Sequence, residues 1–442
     1  MFSDLSLVTT ALILFGLLTA RLAFGIWIGI ALLIVGFAAI FMVTPVPIGP
    51  VLATTVWSSS ASWSLAALPL FIWMGEILFR TRLSEQMFLG LAPWLNWLPG
   101  RLLHVNVVGC GIFAAVSGSS AATCATIGKI ALPELKKRGY NEQMSLGSLA
   151  GSGTLGLLIP PSIPMVVYAI AANVSVIQVF LAGFLPGLLV MALYSGYILL
   201  WSVLNPHKSP RPEPRTPLSF KLRQSAKLLP VLLLILFIFS ALILGWATAT
   251  ECAAWGVTGA LILAWWSGTL TWRTFLESIL SATRLTVTIM LILAGAAFTT
   301  AAMAYTGIPA ALASWVETLQ LSPYVLIAAL TVMYIFLGCL IDGISMIVLT
   351  TVVVLPMVKQ AGFDLIWFGV FLIILVEMAQ ITPPVGFNLF VLQNMSGRDS
   401  FAVARAAMPF FLLLVAAVAI ITAFPDIALT LPRLAFPESG AS

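Results

Sequence analysis

Ile159-Pro160-Pro161-Ser162 and Ile381-Thr382-Pro383-Pro384-Val385-Gly386 each set a Pro-Pro pair inside an otherwise apolar stretch. Proline has no amide hydrogen and its ring collides with the preceding turn, so each pair breaks a helix. Each break follows a small or polar bend in another apolar segment, Ser117-Gly118-Ser119-Ser120 before the first and Asp342-Gly343-Ile344-Ser345 before the second. The separations from Ser117 to Pro160 and from Asp342 to Pro383 are 43 and 41 residues, which makes the pattern an internal repeat. In a membrane chain, broken helices at matching places in two halves mark an ion or solute site, because unwinding frees carbonyls and amides at membrane depth.

Composition places the chain in a membrane: 61% of residues are hydrophobic, 8% are charged and the mean hydropathy is +1.11. The net charge of +5 comes from basic residues between apolar spans, so it reads as a topology signal and not as a nucleic-acid surface. Cys110, Cys124, Cys252 and Cys339 are dispersed, and His104 and His207 are isolated, so no transition-metal site or catalytic triad is expected. Gly151-Ser152-Gly153-Thr154-Leu155-Gly156 matches a dinucleotide fingerprint in letters only, since no acid follows until Glu213. There is no Walker sequence, so no cofactor or nucleotide hydrolysis is expected of this chain. The N-terminal Met-Phe-Ser-Asp has no basic residue before Arg21, and residues 5 to 20 read as a retained span.

A window of ~20 residues per crossing gives spans near 5–20, 22–43, 61–79, 144–171, 175–201, 228–246, 250–268, 275–306, 364–395 and 402–424. Residues 103–132 and 324–357 are bent in the middle and read as re-entrant hairpins, each preceded by an amphipathic stretch, 83–97 and 309–321. Those stretches admit two readings, interfacial anchors or arms joining a moving part to a fixed one. The fold class expected is an all-α polytopic membrane protein with two re-entrant hairpins and two broken helices. Basic residues then collect on one side: Arg21, Arg80 and Arg82, Lys136, Lys137 and Arg138, the Pro-rich loop 202–227, Arg273, Arg398 and Arg405, with Lys359 and Arg433 opposite. With that side cytoplasmic, both termini lie outside, the first hairpin opens inward, the second opens outward, and the repeats are inverted.

The stretches SGSSAATCATIGKIALPELKKRGY (117–140), GSGTLGLLIPPSIPMVVY (151–168), AGFLPG (182–187), TATECAA (248–254) and ITPPVGFNLFV (381–391) together resemble the DctM-like large membrane subunit of tripartite ATP-independent periplasmic (TRAP) transporters. The resemblance spans nearly the whole chain. It implies a sodium-coupled importer of organic acids in the bacterial inner membrane, moving like an elevator with a small membrane subunit and a periplasmic substrate-binding protein. The corresponding parts are scaffold spans and first arm (1–100), first transport half (101–201), cytoplasmic linker (202–227), scaffold spans and second arm (228–322), second transport half (323–424) and a tail (425–442). Near the second break relatives often carry glycine where this chain has Met378-Ala379-Gln380.

Sodium takes about five or six oxygen ligands, which carbonyls and hydroxyls at a broken helix supply. Two such groups are present: Ser117, Gly118, Ser119 and Ser120 with Gly151, Gly153 and Thr154, and Gly338, Asp342, Gly343 and Ser345 with Thr382, Pro383 and Gly386. Small-residue helix packing is the alternative for any one of them. Solute contacts are expected from Ser119, Ser120, Pro160, Pro161, Ser345, Pro384 and Asn388. Asp342 has three readings, a cation ligand, a helix cap or a proton acceptor. Asn388 donates an amide or satisfies backbone, and Glu377, an intramembrane acid one turn before the second break, has two readings, a functional carboxylate like Asp342 or an acceptor for freed amides. Rival functions are a stand-alone sodium and dicarboxylate symporter, a channel and a membrane enzyme, the last requiring clustered acids, histidines or a metal motif.

Overall fold

The computed structural model describes residues 6–436 apart from 62, 82, 209, 211–216, 227, 319–321 and 385. Arg82, Val385 and much of the Pro-rich loop therefore lie outside the described residues. All regular structure among the described residues is helical, as lipid demands of a chain whose backbone must satisfy itself. The first half runs through Leu7–Ala23, Ile28–Val43, Ile48–Ser60, Ala67–Phe79 and the arm Leu83–Leu95 to a hairpin, Leu102–Ser117 and Ser120–Lys137. There follow Glu142–Gly153 and Leu155–Leu158, the first break, Ile163–Ala171 at 43° to them, and the long helix Val176–Leu204. The second half repeats the plan with Leu229–Ile243, Ala249–Trp266, Trp272–Thr306, the arm Ile308–Thr318, a hairpin of Pro323–Gly338 and Gly343–Gln360, Leu365–Gln380, the second break, Phe387–Ser396 and Ser400–Ala423.

The caps define the repeat register more sharply than the bends do. Ser119 and Asp342 are both N-caps whose side chains accept an amide of the next turn, from Ala122 and Ser345. Counted from them, the distances to Pro160 and Pro383 are equal, 41 residues. A constant offset of 223 then relates Pro133 to Pro356, the N-caps Asn141 and Asp364, Pro160 to Pro383, and the helix-interior prolines Pro186 and Pro409. Both Pro-Pro bonds are cis.

Contacts order the helix ends by face. Gly29 meets Leu291, Gly36 meets Phe298, and the Thr299 hydroxyl donates to the Leu32 carbonyl at 2.8 Å, so Ile28–Val43 and Trp272–Thr306 run parallel. Arg80 pairs with Glu76, one turn earlier on its own helix, at 3.1 Å and also with Glu277 at 3.2 Å. The Trp94 indole donates to Ser225, Arg101 donates to the Pro210 carbonyl, and Arg398 bridges to Glu142 at 2.6 Å. Arg80, Arg101, Arg273 and Arg398 thus share one face. On the other, Thr250 donates to the Trp63 carbonyl at 3.1 Å.

Three expectations change. Ile48–Ser60 is a helix that no span anticipated; Thr54, Ser58 and Ser59 lower its hydropathy, yet their hydroxyls bond back to carbonyls of the preceding turn. The Pro-rich linker, whose prolines favour an extended chain, is not simply extended, since it contains the 3-10 turn Pro206–Lys208 and the helix Leu218–Ser225. The tail opens with a helix, Asp426–Ala435, which buries Ala428, Leu429 and Pro432 and packs against Val176–Leu204.

Candidate functional site

Each hairpin bend is set against a broken helix. Gly118 closes Leu102–Ser117 in the left-handed conformation at φ 57°, and a Cβ there would lie 3.1 Å from the Pro161 carbonyl oxygen. Glycine avoids both the φ penalty and that contact. The break interrupts the bent span Glu142–Leu158 and Ile163–Ala171, so the bend that packs on it lies between the ends of that span. At Gly156 a Cβ would fall 2.6 Å from both the Ser119 carbonyl and Ser120 Cα, so the broken helix presses its bare backbone onto the bend. The second half uses the reverse arrangement: the glycines are in the hairpin, with Gly338 facing Ala379 and Gly343 facing Val376. Ala379 is the counterpart of Gly156 at offset 223. The helix Ala67–Phe79 reaches the first bend through Gly75, where an added Cβ would lie 2.9 Å from the Ser117 carbonyl oxygen.

The halves are tied by Glu377. Its carboxylate is fully buried and accepts the Ser120 hydroxyl at 2.7 Å and the Leu157 amide at 2.7 Å. The expectation that Glu377 binds freed amides holds, but the amide belongs to the first broken helix. Ser120 opens a half-helix, so its N-terminal end adds to the favourable field on the carboxylate. With its hydrogen directed at Glu377, Ser120 keeps lone pairs for a cation. The Ser117 and Thr123 hydroxyls hydrogen-bond each other at 2.6 Å, and the Ser119 hydroxyl accepts the Ala122 amide.

The remaining candidates divide. Gly153 faces Cys124 and Asn388, one turn along the hairpin arm from Ser120. Gly151 instead packs on Phe410, and the Thr154 hydroxyl bonds the Gly151 carbonyl at 2.6 Å and lies 3.0 Å from the Tyr194 hydroxyl, so these two side-chain positions point away from the bend. Asn388 donates to the Ala150 carbonyl at 3.3 Å, satisfying backbone across the halves, while its buried carbonyl oxygen has no protein partner. Asp342 is the cap of Gly343–Gln360 and accepts the Ser345 amide at 3.1 Å and the Ser345 hydroxyl. Thr382 donates to the Ala379 carbonyl at 3.2 Å, and its own carbonyl accepts the Gly386 amide at 3.0 Å.

Sequence reasoning missed two oxygens on the first broken helix, the buried Ser162 hydroxyl at the break and the buried Ser152 hydroxyl in Glu142–Gly153, neither of which has a protein partner among the described residues. Each sits within two residues of a residue already singled out, Gly151 or Pro160, so proximity to the break was the available signal. Orphaned buried oxygens cost energy unless a ligand meets them. The set suits a small hard cation bound by neutral oxygens, with one carboxylate behind them.

A cavity of about 1140 Å3 opens on the face away from the arginines. It is lined by residues such as Trp63, Thr250 and Thr300 together with Ser175, Thr351 and Pro356, and none of the candidate ion or solute residues lines it.

The sequence profile described as "Tripartite ATP-independent periplasmic transporter, DctM component" matches residues 15–427. The C4-dicarboxylate TRAP transporter large permease protein DctM of Pseudomonas aeruginosa is 32% identical over 383 residues, covering 86% of this chain and 89% of the relative. Its namesake from Rhodobacter capsulatus is 30% identical over 444 residues, covering 96% and 99%. In fold, the chain is similar to the crystal structure of the Alcanivorax borkumensis YdaH transporter, with a TM-score of 0.59 at 14% identity over 85% of this chain and 89% of that one. These relatives are permease subunits, not enzymes. The chain is a multi-pass membrane protein and belongs to the DctM family, the large permease subunits of tripartite ATP-independent periplasmic transporters.

Proposed function

We propose that this large permease subunit imports an organic acid by sodium symport, with the sodium ions held where the hairpin bends meet the breaks. The observation that carries the reading is the first bend: Ser120 oriented by Glu377, with the orphaned oxygens of Ser152, Ser162 and Asn388 on the adjoining helices. Sodium, as the transported coupling ion, needs no cofactor beside it. The family is tripartite and periplasmic by description, which supports a small membrane subunit and a substrate-binding protein as separate partners. The basic face is the cytoplasmic one by charge, with both termini periplasmic and the bacterial inner membrane as the location. The moving unit comprises both hairpins, both broken helices and the helices that follow them, Val176–Leu204 and Ser400–Ala423, sliding against the scaffold, and the inverted repeat gives two end states of similar energy.

The test is uptake into proteoliposomes holding this chain and its small subunit, with a panel of radiolabelled C4-dicarboxylates. Uptake requiring both an inward sodium gradient and a binding protein is expected. Uptake without the binding protein points to a stand-alone symporter, and uptake indifferent to sodium discards the coupling.

A further inference from the structure

The half-helix ends at the two bends already face protein carboxylates, Glu377 at Ser120 and Asp342 at Ser345, so neither is free to attract an acid. A positive side chain stands elsewhere on the same helix. Along Ser120–Lys137 the half-buried Ala122 and Thr126 and the exposed Lys129, Pro133 and Lys136 recur three or four residues apart, in line with the half-buried cap Ser119. That spacing is one helix face. It consists of small and polar residues where a lipid-facing stripe carries large apolar ones. Lys129 is ten residues from Ser119 and eight from Lys137, roughly 15 and 12 Å along the axis at 1.5 Å per residue. Among the described residues no carboxylate pairs with it. An unpaired charge at such depth faces water or the protein interior.

The repeat gives an independent reason to place it in a water path. Thr351, Val352, Leu355 and Pro356 line the cavity on the far face. At offset 223 their counterparts are Gly128, Lys129, Leu132 and Pro133. The other wall of that cavity includes the end of Ile163–Ala171, whose counterpart is Phe387–Ser396, and Met395 of that helix lies against Gly128. Lys129 therefore occupies, toward the basic face, the place that Val352 holds in the observed cavity. Charge separates the two vestibules. Among the described residues the only charged one lining the far cavity is Glu251, whose carboxylate is engaged by the Thr248 amide and hydroxyl.

We propose that Lys129 is the cation that draws a negatively charged solute along the first-hairpin face, between the bend and the basic side of the membrane. The vestibule on the far face offers hydroxyls and no cation, so attraction for an anion is built into one side of the route only. That the solute is an acid rests on the reading above; the positive path does not.

The test reads the local potential without needing the solute. In the full chain in lipid nanodiscs with Cys339→Ser, the remaining native cysteines Cys110, Cys124 and Cys252 are buried, and Thr126→Cys places a thiol one turn from Lys129. Its reaction rates with anionic sulfonatoethyl and cationic trimethylammonioethyl methanethiosulfonate are compared. At low salt, Lys129→Gln is expected to lower the anionic-to-cationic rate ratio about fivefold, the size for a unit charge roughly 8 Å away in water, and Lys129→Arg to keep it. An unchanged ratio overturns the proposal. So does failure of both reagents at Thr126→Cys, at Ala122→Cys and at the exposed position in Pro133→Cys in folded protein, which places the stripe in lipid. Labelling does not depend on transport, so absent uptake counts only against the functional reading.

Discussion

Ser120 and Glu377 are 257 residues apart in sequence and 2.7 Å apart in space, each contributed by a different half of the inverted repeat. Their bond fixes the first hairpin bend to the helix that precedes the second break. Motion of either half by itself would leave a buried carboxylate short of a donor, which supports the proposal that the two halves move as one unit.

The pair should show as energetic coupling. Ser120→Ala and Glu377→Gln are each expected to destabilise the purified protein by about 1–3 kcal/mol. The double variant should lose less than their sum, by about 1 kcal/mol or more, in reversible denaturant unfolding. Additive losses would mean that the bond contributes nothing specific.

Gly156 is expected to tolerate no side chain, because an added Cβ would meet backbone at 2.6 Å on the hairpin bend. Gly156→Ala should cost about 1–3 kcal/mol by overpacking and raise the sodium concentration for half-maximal uptake several-fold. The mirror change Ala379→Gly removes atoms instead, and its sodium dependence should stay near that of the parent.

At the second break the Thr382 hydroxyl only donates to the Ala379 carbonyl, so its lone pairs remain available. Thr382→Ala should raise the half-maximal sodium concentration about tenfold, a loss of about 1.4 kcal/mol, with the fold unchanged by circular dichroism. Parent-like sodium dependence removes this hydroxyl from the ion site.

Sidedness follows from cysteines placed on opposite faces. Lys208→Cys, beyond the end of Val176–Leu204, should resist impermeant thiol reagents in intact cells, while Lys359→Cys, near the end of Gly343–Gln360, should react. The opposite pattern inverts the orientation.

What was legible in the sequence was what acts locally. Pro160-Pro161 and Pro383-Pro384 break helices wherever they occur, and Gly118 and Asp342 terminate and restart them, so hairpins and breaks could be placed from residue type. The reach of Glu377 to Leu157 and the close approach of Gly156 to Ser119 are tertiary, and nothing within a few residues signals them. Asp342 had three sequence readings; its bonds to Ser345 establish the cap. Ile48–Ser60 escaped notice because its hydroxyls, satisfied within the helix, count as polar in a hydropathy window.

The central claim, a transport unit that carries sodium and solute past a fixed scaffold, is tested most directly by locking the two together. Phe71 of the scaffold helix Ala67–Phe79 and Phe180 of Val176–Leu204 touch edge to face, with ring centroids 5.8 Å apart. Cysteines at both positions, in a Cys339→Ser background, are joined with a short bifunctional thiol reagent, and sodium-driven uptake is measured beside the sodium-induced rise in melting temperature. The account predicts that complete cross-linking abolishes uptake and leaves stabilisation by sodium intact. Full uptake through a verified, quantitative cross-link would contradict it and leave transport to small movements at the bends.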